Sequence, residues 1–177
     1  MPYKTYSNKF IAYKNAKRVM RLTKCDAIKL EGGKKIVNII KYLTKRKIPV
    51  MGHVGLLPQI SINFKVKGKN FAQKKQILED AKAISNSGVF AIIIECVVEN
   101  LAKKITKNVS VPTIGIGASR YCDGQVLVID DMLGLSDFNP KFVKQYSNLK
   151  KVIEKSVKNY AKDVRLRKFP FNKNVYK

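Results

Sequence analysis

Between Phe90 and Val97 the chain runs Phe-Ala-Ile-Ile-Ile-Glu-Cys-Val, an unalternating apolar stretch that ends directly on a carboxylate, Glu95. A short Ile-rich run without alternation is the pattern of a strand covered on both faces, as in a parallel sheet beneath helices. Glu95 then falls at or near the C-terminal end of that strand. In parallel α/β architectures the loops leaving this end converge on a common mouth, where the chemistry sits. An ionised carboxylate beside an apolar run costs several kcal/mol unless it is paired, so it takes a partner or a raised pKa. Two readings stay open on local sequence: a structural Glu paired with one of the many lysines, or a base poised for proton abstraction.

At 177 residues with 45% hydrophobic content, the chain is long enough for one domain with a proper core. No run of 18 apolar residues occurs, so no membrane span is expected. The segment from Met1 to Lys9 lacks the apolar region of a secretory signal. Cys25, Cys96 and Cys122 are odd in number and widely spaced, which gives neither a disulfide framework nor a zinc pattern, and reduced cytoplasmic thiols are expected. The net charge of +24 raises the possibility of a nucleic-acid-binding module. Thirty of the 36 basic residues are Lys, however, and they are spread through every expected helix and loop. Dedicated readers of nucleic acid use Arg and aromatics in clusters. Compositional bias is therefore the preferred reading, with incidental affinity for polyanions at low salt.

Ser7 and Asn8 offer N-cap groups for a first amphipathic helix through about Thr23, with Phe10, Ile11, Tyr13, Ala16, Val19 and Met20 as its apolar positions. Asp26 to Leu30 reads as a strand leading into Glu31-Gly32-Gly33, glycines that permit a tight turn or close approach to a ligand. A helix marked by Ile36, Ile39, Ile40 and Leu43 follows, then a strand over Ile48 to Met51. Residues 52–59 read as a glycine-interrupted loop carrying the sole histidine, His53, expected to be a packed or hydrogen-bonded residue rather than a catalyst. An exposed basic loop, a helix over Phe71 to Asn86, the Glu95 strand and a short helix around Leu101 come next. Strands over Val111 to Ile114 and Gln125 to Ile129 follow, then a long, broken helix from Asn139 to about Tyr160. Alternation of strand and helix predicts a parallel sheet with right-handed crossovers. The expected division is one domain over 1–165 and a basic tail over 166–177.

Five stretches, in order, carry a resemblance: Ile28-Lys29-Leu30-Glu31-Gly32-Gly33, Met51 to Gln59 (Met-Gly-His-Val-Gly-Leu-Leu-Pro-Gln), Ile94-Glu95-Cys96-Val97, Ile114-Gly115-Ile116-Gly117-Ala118 and Cys122 to Val128. Each is weak alone; together they resemble ketopantoate hydroxymethyltransferase, a (β/α)8 TIM-barrel family of pantothenate biosynthesis. The resemblance implies a transferase that moves a hydroxymethyl group from 5,10-methylenetetrahydrofolate to the 2-oxo acid 3-methyl-2-oxobutanoate, giving 2-dehydropantoate. It implies Lys29 as a substrate contact, Glu31 as a ligand of Mg²⁺ and Glu95 as the general base. It further implies a homo-oligomer.

The same resemblance implies that this chain is an incomplete barrel of about five parallel strands, the family's fourth to eighth, with flanking helices. A complete (β/α)8 barrel takes about 250 residues. Met1-Pro2-Tyr3 resembles the segment after the family's third strand, so two metal-binding aspartates and a substrate-contacting serine have no counterpart. Ser119 stands where the family usually has Gly, and a loop around Asn63 to Lys65 is shorter. The expectation is a truncated chain, poorly soluble or partly molten and inactive alone; the alternatives are a catalytically dead remnant and the basic nucleic-acid-binding module.

Overall fold

The computed structural model describes residues 1–62 and 64–176. The loop at Asn63 to Lys65 thus begins outside the described residues. The chain divides into two compact units, Met1–Val126 and Leu127–Lys177.

The first unit is built on a parallel sheet of five strands in sequential order: β1 (Ile28–Glu31), β2 (Val50–Gly55), β3 (Ala91–Glu95), β4 (Thr113–Ile116) and β5 (Gly124–Gln125). The helices of this unit are α1 (Lys9–Thr23), α2 (Val37–Thr44), α3 (Phe71–Ser85) and α4 (Glu99–Asn108). In β3 four successive residues, Ala91 to Ile94, are buried, as a strand covered on both faces requires. Leu30, Val50, Ile92 and Ile94 point to one face and share a core with Ile40, Ile84, Ala102 and Ile105 of the helices. Side-chain alternation sends Lys29, Glu31, Met51, His53, Ile93 and Glu95 to the opposite face.

Several boundaries differ from the expected ones. The first helix begins where expected, because Asn8 Oδ1 accepts from the Phe10 and Ile11 amides. Its buried face, however, is Ala12 and Ala16, small residues that allow close approach. Phe10 and Tyr13 instead stack edge-on against Tyr42 of α2. Strand β2 continues through residues read as loop: Gly52 lies inside it because a Cβ there would come within 2.7 Å of Ile84 Cδ1, so a close helix requires a glycine. Gly33 makes room for a neighbouring side chain, since a Cβ there would collide with Asp80, whose carboxylate accepts from the Lys34 amide.

The fifth strand is only two residues long. Val126 makes the last bond to Gly115, and beyond it Val128 and Ile129 are exposed, with no partner surface to hold them extended. Ile129–Met132 instead forms the short helix α5, whose first turn carries Asp130 and Asp131, favourable at a helix N-terminus. What ties β5 to β4 is Asp123, whose carboxylate accepts from the Thr113 amide (2.8 Å) and hydroxyl (2.9 Å).

In the second unit the expected long helix is confined to α6, Leu149–Arg165. Asn148 caps it by accepting from the Lys151 amide, so Phe142, Val143 and Tyr146 lie outside it. No side chain of α6 is buried. No helix among the described residues is long and apolar enough to cross a membrane.

Two outcomes follow for stability. Ile94→Ala should cost about 2–5 kcal/mol in urea unfolding, because Ile94 is wholly buried, whereas Ile62→Ala should stay within about 0.5 kcal/mol because Ile62 is fully solvent-facing. The Thr113 amide, and then its hydroxyl, hold the Asp123 carboxyl below its ordinary value of 3.8. A depressed native pKa contributes stability that is complete above the unfolded value and is lost as pH falls through the native one. The stability difference between the native chain and Asp123→Asn should therefore be constant above pH 3.8 and shrink below it; a difference that grows on acidification would contradict the anchor.

Candidate active site

The register of the first three strands builds the site. Glu31 pairs with His53 across β1 and β2, and Gly55 pairs with Glu95 across β2 and β3. Glu31 and Glu95 are each the last residue of their strand, and His53 stands two residues before the end of β2. All three emerge on the same face, at the C-terminal edge of the sheet. His53 Nε2 lies 3.2 Å from Glu95 Oε2, and His53 Nδ1 lies 3.9 Å from Glu31 Oε1. The imidazole thus sits between two carboxylates, and it is completely buried.

The two carboxylates are held differently. Glu31 accepts from the Gln59 side-chain amide (2.9 Å) and the Gln59 backbone N–H (3.2 Å), and Tyr6 donates to the Glu31 carbonyl. Burial pushes the Tyr6 phenol upward, so it stays a donor near neutrality. Among the described residues no hydrogen bond reaches the Glu95 carboxylate, and its ion-pair contact is with His53. The Glu95 backbone, by contrast, is clamped: its carbonyl accepts from Leu56, and the next amide, Cys96, donates to Ile116. A Cβ on Gly55 would stand 2.3 Å from the Glu95 carbonyl, and Gly55 has φ +96°, so only glycine admits this approach. Cys96 itself takes φ +47°, turning the chain sharply right after the carboxylate. Burial, and then the neighbouring Glu95, push the Cys96 thiol up.

Lys29 is exposed on the same face as Glu31, two residues earlier on β1. The structure thus brings Glu31 and Glu95 together through His53, and places Lys29 on their side of the sheet. His53, expected from the sequence to be a packed residue, is buried, and its ring stands between the two carboxylates. A cleft of about 720 Å³ opens beside Glu31, lined also by Tyr3, Tyr6, Gly33, Ile36 and Asp80, but it is not lined by His53 or Glu95.

Magnesium takes hard oxygen ligands and keeps several waters, needing one or two carboxylates besides substrate oxygens. Glu31 offers one such donor, already engaged by Gln59, and no cluster of three or more His, Cys, Asp or Glu residues able to hold a metal occurs among the described residues. The described residues alone therefore do not compose a divalent-cation site.

The profile of the family described as ketopantoate hydroxymethyltransferase matches residues 1–172. The chain belongs to the ketopantoate hydroxymethyltransferase family. It is 57% identical over 176 residues to a Pelagibacter ubique protein named 3-methyl-2-oxobutanoate hydroxymethyltransferase, covering 99% of this chain and 68% of that protein. Proteins of the same name from Phenylobacterium zucineum and Caulobacter vibrioides are 50% and 51% identical over 180 residues, again over 99% of this chain and 66% of their own length. The chain thus spans about two thirds of the length of these hydroxymethyltransferase relatives, and the five-stranded parallel sheet is consistent with a family of TIM-barrel type.

Because Cys96 is buried beside a carboxylate while Cys25 is partly exposed, iodoacetamide at neutral pH should alkylate Cys25 well ahead of Cys96. Peptide mass spectrometry over a time course checks this, and equal rates would show that the C-terminal end of β3 is open to solvent.

Proposed function

We propose that this chain carries the base and one substrate contact of a site that transfers a hydroxymethyl group from 5,10-methylenetetrahydrofolate to 3-methyl-2-oxobutanoate, giving 2-dehydropantoate for pantothenate biosynthesis. The observation that carries the proposal is the row Glu31–His53–Glu95 at the C-terminal edge of parallel strands, with Lys29 on the same face. Glu95 breaks the C3–H bond of the 2-oxo acid and takes the proton, leaving an enolate. Its carboxylate suits this work because no hydrogen bond from the described residues occupies it and its backbone is rigidly held. Lys29, solvated and cationic, attracts the substrate carboxylate and opposes the charge that develops on the enolate oxygen. Water adds to the methylene carbon of the folate donor and both of its C–N bonds break, leaving tetrahydrofolate and a one-carbon unit at the formaldehyde level. C3 of the enolate bonds that carbon as its C=O π bond opens, and the resulting alkoxide takes a proton to become the hydroxymethyl group.

Glu31 is proposed as one oxygen ligand of Mg²⁺, since among the described residues it belongs to no group of three or more side chains able to hold a metal ion. The five strands are proposed as part of an eight-stranded barrel. β1 has a strand on only one side, its other neighbours being the Met1 amino group, which donates to the Lys29 carbonyl, and the Tyr6 phenol on the Glu31 carbonyl. Such an edge accepts further strands. The relatives' remaining third is proposed to supply those strands and the missing ligands, so the chain alone should be inactive. Homo-oligomer formation is proposed on the family likeness alone.

Deuterium at C3 of 3-methyl-2-oxobutanoate, followed by proton NMR in the presence of Mg²⁺, tests both parts. The chain alone should leave the label in place, and the chain combined with a polypeptide supplying the relatives' remaining length should wash it out. Glu95→Gln in that combination should slow the exchange by about 10²- to 10⁴-fold. Rapid exchange by the chain alone would overturn the need for completion, and exchange that survives Glu95→Gln would overturn the base.

A further inference from the structure

Resting on that reading, and going beyond it, we infer that His53 is the positioning residue of the site, fixing the Glu95 carboxylate through Nε2 and facing Glu31 through Nδ1. A histidine inside a sheet with both ring nitrogens buried and no aligned hydrogen bond is a costly arrangement, because a buried polar group gives up its hydration without regaining a partner. The fold nevertheless holds the ring in place. The His53 carbonyl accepts from the Gly32 amide at 3.1 Å, locking β1 against β2 at this height. The ion-pair contacts available to the ring are the two carboxylates, one on each neighbouring strand, at 3.2 Å and 3.9 Å.

The ring does not act on substrate directly, because it is fully buried, while Glu95 keeps 16% of its side chain open. Nor does it belong to a metal cluster among the described residues. What it does reach is the carboxylate that nothing else restrains. Nε2 at 3.2 Å without hydrogen-bond alignment is the geometry of a catalytic contact that straightens when substrate closes the site. With one Glu95 oxygen tethered, the other is left to face the mouth, which shortens the search for a productive orientation. Glu31, already held twice by Gln59, does not need the ring in the same way.

The chain contains a single histidine, so the ring ¹⁵N spectrum of uniformly labelled protein reports this residue alone. At fixed neutral pH, Glu95→Gln should shift the Nε2 resonance clearly more than Glu99→Gln, which removes only a surface carboxylate facing Arg120. Equal shifts would overturn the inference, whatever the activity of the chain. In the completed protein, His53→Phe should lower kcat for C3 exchange by about 10- to 100-fold with KM nearly unchanged. His53→Gln, whose amide N–H can stand in for Nε2–H, should recover part of that loss. A Phe variant at native kcat, or a Gln variant no better than Phe, would reduce His53 to packing. Either result leaves the base assignment intact, whereas a harmless Glu95→Gln would sink the reading of the site itself.

Discussion

Parallel register is the constraint on which the rest depends. Side chains from three strands meet in a row only if each strand presents the right residue at the same height and on the same face. Here Glu31 faces His53 across one ladder, and Gly55 faces Glu95 across the next. A shift of one residue in either ladder would send a carboxylate into the helix-covered core, where Leu30 and Ile94 now sit. That core is apolar and wholly buried, so the cost of such a shift is far larger than any gain at the site. The hydrophobic face therefore specifies the chemistry of the opposite one, without touching it.

Much of this could be read before any coordinates. The Ile-rich run of β3 ends on a carboxylate, and the alternation of apolar segments with helical stripes announces a parallel α/β sheet. The errors have physical causes. Gly52 and Gly55 read as loop punctuation, yet Gly52 is a strand residue that makes room for Ile84, and His53 is carried into the sheet with it. Gly33, read as permitting a tight turn or close approach to a ligand, leaves the room that the Asp80 side chain fills. The apolar residues 126–129 have strand propensity, but propensity alone does not hold a strand that has nothing to pack against. The pairing of His53 with two distant carboxylates depends on register, which no local pattern encodes.

Within the site, two chemically identical side chains are given different surroundings. Glu31 is nearly enclosed and accepts two hydrogen bonds from Gln59; among the described residues Glu95 has one imidazole beside it and a window to solvent. A carboxylate held by donors suits a fixed role, and one without them suits a group that must gain and lose a proton. Backbone geometry adds to the difference, since the left-handed turn at Cys96 and the glycine at position 55 let neighbouring main chain close around the Glu95 backbone.

Helix α6 is organised on another principle. Its 17 residues bury no side chain, so its apolar stripe of Val152, Ile153, Val157 and Tyr160 gives it little hydrophobic anchorage beyond the edge-on contact of Tyr160 with Phe169. Separating its backbone bonds exposes little new oily surface and is opposed mainly by the bonds themselves. Its amides should trade hydrogen with water sooner than those of α3, and its many lysines make it the readiest segment for trypsin to cut.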